Sequence, residues 1–416
     1  MSEKNQGGRC PVAHAVPAHV DPAHVRLFDF ENDVAYGQDP QRRLNSLRSE
    51  HRVFYSPKGR KALLGGGTWI FTHAEDIREV LQHPANFRSS GNRPFGKALG
   101  ENWVLIPIDL DPPEHDRMRG FMNPLFSPRK IAELAGKVEN RAIELIEGFR
   151  HDGRCAFVEQ FARPFPVTIF LEMFGLPVTE MERFIVWEEA IIHSQGPGQL
   201  AAMRELRDYM AEVIEDRRRN PREDLISLAV TTEVSGARLT YDEIMGMCIM
   251  LFMGGLDTVT SELGFVFRHL AEHPDQQAWL RSNPEKIPTA LEELLRLYPI
   301  ITTGRIATRD VTVGGVTIGA GDNVACPLAC ASRDPAEIDR PDDVDLERTP
   351  NRHSAFGFGP PRCIGSHLAR RELAVAIEQW LRLVPPFRIA PGAQLEAAGA
   401  GVVALRSLPL VWDAAA

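Results

Sequence analysis

The chain has 416 residues, of which 44% are hydrophobic and 25% charged, and a formal net charge of −9. This is the composition of a globular protein, long enough for one large domain or for two or three ordinary ones. The acidic balance excludes nucleic acid as an expected partner on bulk electrostatics.

Residues 1–29 begin MSEKNQGGRCPVAHAVPAHVDPAHV and are rich in Pro, Ala and His. They hold no apolar run of signal or anchor type and read as a mobile segment ahead of a domain at 30–416. His14, His19 and His24 recur every five residues, a spacing read as incidental rather than as a metal site. No stretch anywhere is a membrane span of about 20 apolar residues. Arg60–Thr72 reads as strand. Asp111-Pro-Pro-Glu-His115-Asp-Arg-Met-Arg119 opens a helix with Pro in its first turn, and His115 and Arg119 share a face. Lys130–Arg150, Leu200–Arg219 and Tyr241–Glu272 carry apolar residues at helical spacing.

Within the last of these, Ile244–Leu256 is apolar throughout, too short for a bilayer and suited to a buried core helix. Asp257 and Thr258 follow directly, and burying them is costly unless they find partners or a task. The Thr258 hydroxyl can reach back to the carbonyl of Gly254, while Gly254 and Gly255 leave room for a small ligand. A helix kink is the alternative reading of this pattern. Leu291-Glu-Glu-Leu-Leu-Arg296 puts Glu293 and Arg296 on one helical face, ended by Tyr298-Pro299. Val311–Pro327 reads as strand, turning at Gly314-Gly315, and Val402–Val411 as a further hairpin. No linker separates two cores, so the chain reads as mainly α with small β-sheets in a single large domain.

Phe356-Gly-Phe-Gly-Pro-Pro-Arg-Cys363-Ile-Gly365 is the most informative stretch. It holds one cysteine by turn geometry at the start of the helical pattern from Ser366, where N–H donors and the helix dipole favour a thiolate. A fixed thiolate without nearby Cys or His ligands suits the lone axial ligand of a haem iron, not a tetrahedral zinc site. Gly357, Gly359 and Gly365 clear side chains from where a flat macrocycle would lie, and Phe356 shields the sulfur. A buried structural cysteine is the other reading. Haem also brings two propionates that need cationic or donor partners. The remaining cysteines, Cys10, Cys155, Cys248, Cys326 and Cys330, form no disulfide framework, which points to a reducing cytoplasm. Cys326 and Cys330 read as small hydrophobes.

The pattern F-G-x-G-x-x-x-C-x-G resembles the cysteine-ligand loop of the cytochromes P450, over roughly residues 30–413. The resemblance implies haem b with Cys363 as its thiolate ligand. Gly254-Gly-Leu-Asp257-Thr258 resembles the family's distal-helix motif, in which Asp257 and Thr258 manage protons for oxygen activation. Glu293 and Arg296 match its E-x-x-R pair, with Arg348 as the third member. D-P-P-E-H-x-x-x-R matches a bacterial pattern in which His115 and Arg119 contact propionate. Arg305 matches another propionate arginine, and His353 is a further candidate.

Three segments, M-G-G-L-D-T-V, E-K-I-P-T-A-L-E-E-L-L-R and A-P-G-A-Q…L-P-L-V-W, are similar to the soluble camphor-hydroxylating bacterial P450s. That implies O2 chemistry driven by a [2Fe–2S] ferredoxin and an NAD(P)H-dependent reductase. An acidic partner would meet the thiolate side near Arg119 and Arg362. Where those enzymes use a tyrosine hydroxyl to hold substrate, this chain has Trp103. Phe95, Trp103, Met250, Met253, Gly254, Ile301, Thr303 and Val402 are the expected pocket wall, suited to a compact apolar terpenoid- or norisoprenoid-sized substrate. A P450 tailoring a larger polyketide or macrolide is the alternative. A haem-thiolate sensor is a second one, against which Asp257-Thr258 argues.

Overall fold

The computed structural model describes residues 16–58, 67–192 and 196–413. Its centre is the helix Tyr241–Glu272, which starts at a capping box: the Thr240 hydroxyl accepts the Glu243 N–H and the Glu243 carboxylate accepts the Thr240 N–H. Three hydrophobic clusters meet along this helix. Ile244 to Leu256 face one that includes Phe170, Phe184 and Trp187. Val259, Leu263, Val266 and Phe267 face another, built round Trp380 on the helix Ser366–Leu383. Phe265 joins the third, against the main sheet. The helix is long and apolar enough to cross a membrane, but most of its apolar stretch is buried inside the fold.

The main sheet has five strands in the order Val53–Ser56, Thr68–Phe71, Asn323–Pro327, Thr302–Ala307 and Phe87–Arg88. Only the pairing of Thr68–Phe71 with Asn323–Pro327 is parallel. The register sets Arg305 opposite Val324. The strands Val311–Val313 and Val316–Ile318 form the expected hairpin, with Gly314 at φ 60° and Gly315 at φ 82°, the left-handed pair that a two-residue turn demands. Most of the expected strand at 60–72 lies outside the described residues; its end is the strand Thr68–Phe71.

Three expectations differ from the structure. Residues 16–29 are packed on the domain rather than mobile: Val20 is 3% and Phe28 1% exposed, and Arg26 donates its N–H to Tyr55 O. His14 and Cys10 lie outside the described residues, and His19 bonds Asp322 at 2.8 Å. The helix expected at 130–150 is two, Pro128–Glu133 and Ala135–Glu147. Residues 402–411 make no hairpin of their own. Ala404–Leu405 pairs with Ala397–Ala398, and Pro409–Trp412 pairs with Phe387–Ile389 and Arg154–Ala156. Partners distant in sequence, Arg154–Ala156 above all, compete successfully with the local turn.

Candidate active site

The cysteine loop is a run of tight turns. Gly357 and Gly359 take φ of 74° and 68°, and the N–H of Cys363 donates to Phe356 O at 2.9 Å. A Cβ on Gly359 would stand 3.0 Å from Leu81 O, so the loop presses against the helix Ala74–Gln82. Gly365 then caps the helix Ser366–Leu383. Cys363 is exposed, whereas Cys155, Cys248, Cys326 and Cys330 are buried. Desolvation on the inner side of this exposed thiol pushes its pKa up, against the pull of the Gly365 N–H and of Arg119, Arg362 and Arg370. The expected thiolate is thus favoured by its neighbours but outweighed by desolvation, and a metal cation at the sulfur would complete the deprotonation. Among the described residues no cluster of three His, Cys, Asp or Glu could hold a metal on its own.

Beside the loop lies an edge rich in unsatisfied donors. A small recess brings together His115, Arg305, Ser89, Asp111, Pro360 and Pro361. His115 is 4% exposed; its Nδ1 bonds Asp116 at 3.0 Å and its Nε2 has no partner among the described residues. Arg305, also 4% exposed, bonds Gly304 O at 2.7 Å and Thr303 Oγ1 at 3.2 Å, but pairs with no carboxylate among the described residues. Burial, with repulsion from Arg93, brings it down to about 10. Arg119 donates to Arg362 O at 2.8 Å and is likewise lowered by burial. A buried guanidinium without a counter-charge is costly. These groups fit a flat molecule carrying two carboxylates whose metal meets Cys363. His353 Nε2 bonds Glu292 at 2.9 Å. Burial raises Glu292, but the bonds from Arg370 and His353 outweigh it and leave it at about 2.

On the long helix, the Thr258 hydroxyl donates to Gly254 O at 2.7 Å, as helical spacing allows. Asp257 is 1% exposed. Both line a cavity of about 840 Å³ together with Gly254, Met250, Met253, Phe95, Ile301, Thr303 and Val402. Trp103 is not among its lining residues: it is 3% exposed in the neighbouring core, and its indole N–H donates to Glu101.

The family model "Cytochrome P450" matches residues 167–383. A probable cytochrome P450 127A1 from Sinorhizobium fredii is 36% identical over 403 residues, covering 95% of this chain and 97% of that one. The chain belongs to the cytochrome P450 family.

Among solved structures, the P450 CYP101C1 superposes with a TM-score of 0.87 at 33% identity, covering 96% of this chain and all of that one (100%). The Bacillus subtilis P450 PksS of the bacillaene polyketide synthase superposes with a TM-score of 0.83 at 29% identity, covering 92% of this chain and 98% of that one. The protein is therefore a haem b oxidoreductase, a monooxygenase that incorporates one atom of O2 and draws electrons from a redox partner. In this P450, the residues that would hold the haem are Cys363 at the iron and His115, Arg119 and Arg305 at its carboxylate edge.

Below the loop, Glu293 gathers Arg296 at 2.7 and 2.8 Å, Arg348 at 3.1 Å, Asn351 at 2.9 Å and the Asp345 N–H at 2.9 Å. Arg296 goes on to Pro341 O at 2.6 Å and Asp343 O at 2.9 Å, so the network fixes the chain that leads into the loop. Asn351 carried no signal as a fourth member.

Four further residues had no sequence signature. Arg93 reaches the cavity from an irregular loop and bonds Asp109 at 2.9 Å. Asp109 is pushed up to about 6 by burial, against the pull of Arg93. Glu262 and Glu372, buried in the two helices that carry Thr258 and follow Cys363, are pushed well above the usual carboxylate range by burial alone. Helical spacing places Glu262 one turn beyond Thr258 on the same face, which only became a feature once Thr258 was known to face the cavity.

Proposed function

We propose that this P450 hydroxylates an unactivated C–H bond of a compact apolar molecule of terpenoid or norisoprenoid size, using electrons from a [2Fe–2S] ferredoxin reduced by an NAD(P)H-dependent reductase. The supporting observation is the inner cavity wall, where Phe95, Met250, Met253, Ile301 and Val402 surround the Asp257-Thr258 pair. Apolar side chains bind a hydrocarbon by excluding water, and two methionines let the wall adapt its shape. When bound, the haem supplies O2 activation at its iron. The chain's part is to hold it and to govern protons. Thr258 keeps its hydroxyl at the cavity face through Gly254 O, and Asp257, adjacent and buried, relays protons to that hydroxyl. Arg119 and the exposed Arg362, on the cysteine side, suit an acidic ferredoxin. Free cysteines suit a cytoplasmic protein.

A second reading, tailoring of a larger polyketide or macrolide, is favoured by the cavity's extent. Its 840 Å³ runs from Thr258 to Gly196, Gln199 and Arg406, near the upper end of sites for drug-sized ligands. A panel of monocyclic terpenoids, norisoprenoids and macrolides, titrated for the low-to-high-spin shift of the haem, separates the two. The proposal expects saturable shifts with the small members. Shifts confined to the macrolides would overturn it.

A further inference from the structure

Charged and polar side chains line part of the cavity, and several of them are already committed. Gln199 donates to Ile191 O at 2.7 Å, and Arg163 to Glu189 at 2.7 Å. Arg305 belongs to the recess at the haem edge. Arg93 differs. Its loop is fixed at both ends: the Asp111 carboxylate accepts the N–H groups of Ser89 at 2.7 Å and Ser90 at 3.1 Å, and Asn92 donates to Gly304 O at 2.9 Å. The Arg93 side chain is 12% exposed and lines the cavity between Phe95, Leu105 and Thr302. Only its Nη1 is paired among the described residues, with Asp109, itself 3% exposed. A guanidinium has five N–H groups in a rigid fork, so donors remain for the cavity.

The charge balance decides what those donors fit. With Arg305, which repels Arg93, given over to the haem carboxylates, Arg93 and Asp109 form a neutral pair. A carboxylate placed on the fork would meet the Asp109 carboxylate behind it in a poorly screened site. A neutral oxygen meets N–H donors polarised by a formal charge and no opposing field, the stronger class of hydrogen bond. We infer that Arg93, held by Asp109, is the polar anchor of the substrate cavity and selects apolar molecules carrying one neutral carbonyl-type oxygen. This rests on the reading that a compact apolar substrate fills the inner cavity, and it assigns to Arg93 the role expected of Trp103.

The test uses the haem-loaded protein, spin-shift titration and calorimetry, with three probes: β-ionone, its analogue with the carbonyl replaced by methylene, and the corresponding carboxylic acid. The native protein should bind the ketone about tenfold more tightly than the hydrocarbon, and the acid more weakly than the ketone. Arg93→Gln combined with Asp109→Asn leaves no buried charge unpaired. It should bring the ketone-to-hydrocarbon ratio to about one, with hydrocarbon affinity held within about twofold and haem content unchanged. Retention of the ketone preference in the double variant overturns the inference, as does its absence from the native protein or tighter binding of the acid. Loss of haem at an unchanged ratio also overturns it, by assigning Arg93 to the haem carboxylates. Failure of both β-ionone and its hydrocarbon to bind the native protein would sink the compact-substrate reading itself, and the anchor with it.

Discussion

Glu293, below the cysteine loop, and Glu262, one turn past Thr258, are the same residue at nearly the same burial, 0% and 5% exposed. Glu293 meets two guanidiniums, an amide and a backbone N–H, and is held below the usual carboxylate range although burial pulls it up. Glu262 has no partner for Oε1 among the described residues and is driven up by desolvation alone. Burial does not set the charge state; the donors do. The region under the loop uses fixed charge to hold one backbone course. The region along the long helix sets hydroxyls on the cavity wall and, one turn on, a carboxyl that burial pushes toward its protonated form.

The largest effect expected is at Glu293. Glu293→Ala leaves Arg296, 0% exposed, as a buried unpaired cation and releases Arg348 and Asn351. Breaking such a pair from one side costs about 3–5 kcal/mol. The variant should lose most haem-retaining soluble protein, read as haem absorbance per polypeptide and as a lowered urea midpoint. An unfolding free energy within about 1 kcal/mol of the native protein's would break the comparison, because the network would then be no more than an ordinary exposed ion pair.

Next comes Thr258, in the other region, where chemistry and not stability should respond. Thr258→Ala removes one hydroxyl and its bond to Gly254 O. The fold should be unaffected, and NAD(P)H should still be consumed. Product per NAD(P)H should fall roughly tenfold, less than the ~10²-fold of a direct proton donor, with hydrogen peroxide making up the difference. Unchanged product yield would remove Thr258 from proton management.

Much of this contrast was legible in the sequence, and its limits are physical. The long helix could be read because its apolar spacing is local, and its bounds Tyr241–Glu272 are those of the pattern. The haem b, P450-type fold followed from a cysteine whose turn residues all lie within one loop. Partner choice was not legible. Trp103 bonds Glu101, only two residues away, and His353 bonds Glu292, 61 residues away, and neither pairing has a spacing signature. The segment 16–29 looked mobile by composition, yet the buried side chains of Val20 and Phe28 tie it to the domain. Arg93 needed three separate segments, at Ser89–Arg93, Asp109–Asp111 and Gly304, before it became a site.

The smallest effect sharpens the comparison most, because it reads the charge state of Glu262 directly. An unfolded Glu titrates near 4.3. Glu262 titrates well above that when folded, so between the two values the folded protein binds the extra proton. Stability is then greatest below the unfolded pKa and declines as pH rises toward the folded one. Each such group contributes a slope of about 1.4 kcal/mol per pH unit in that window, and Glu372 contributes in the same sense. Glu262→Gln keeps the shape of the protonated acid and cannot ionise. Its midpoint should match the native one near pH 4 to 5 and exceed it progressively toward neutral, flattening the curve by about half of the two-group slope. Parallel native and variant curves would mean that Glu262 is ionised in the folded protein. It would then resemble Glu293, with a counter-charge of its own, and the long helix would hold no neutral carboxyl beside Thr258.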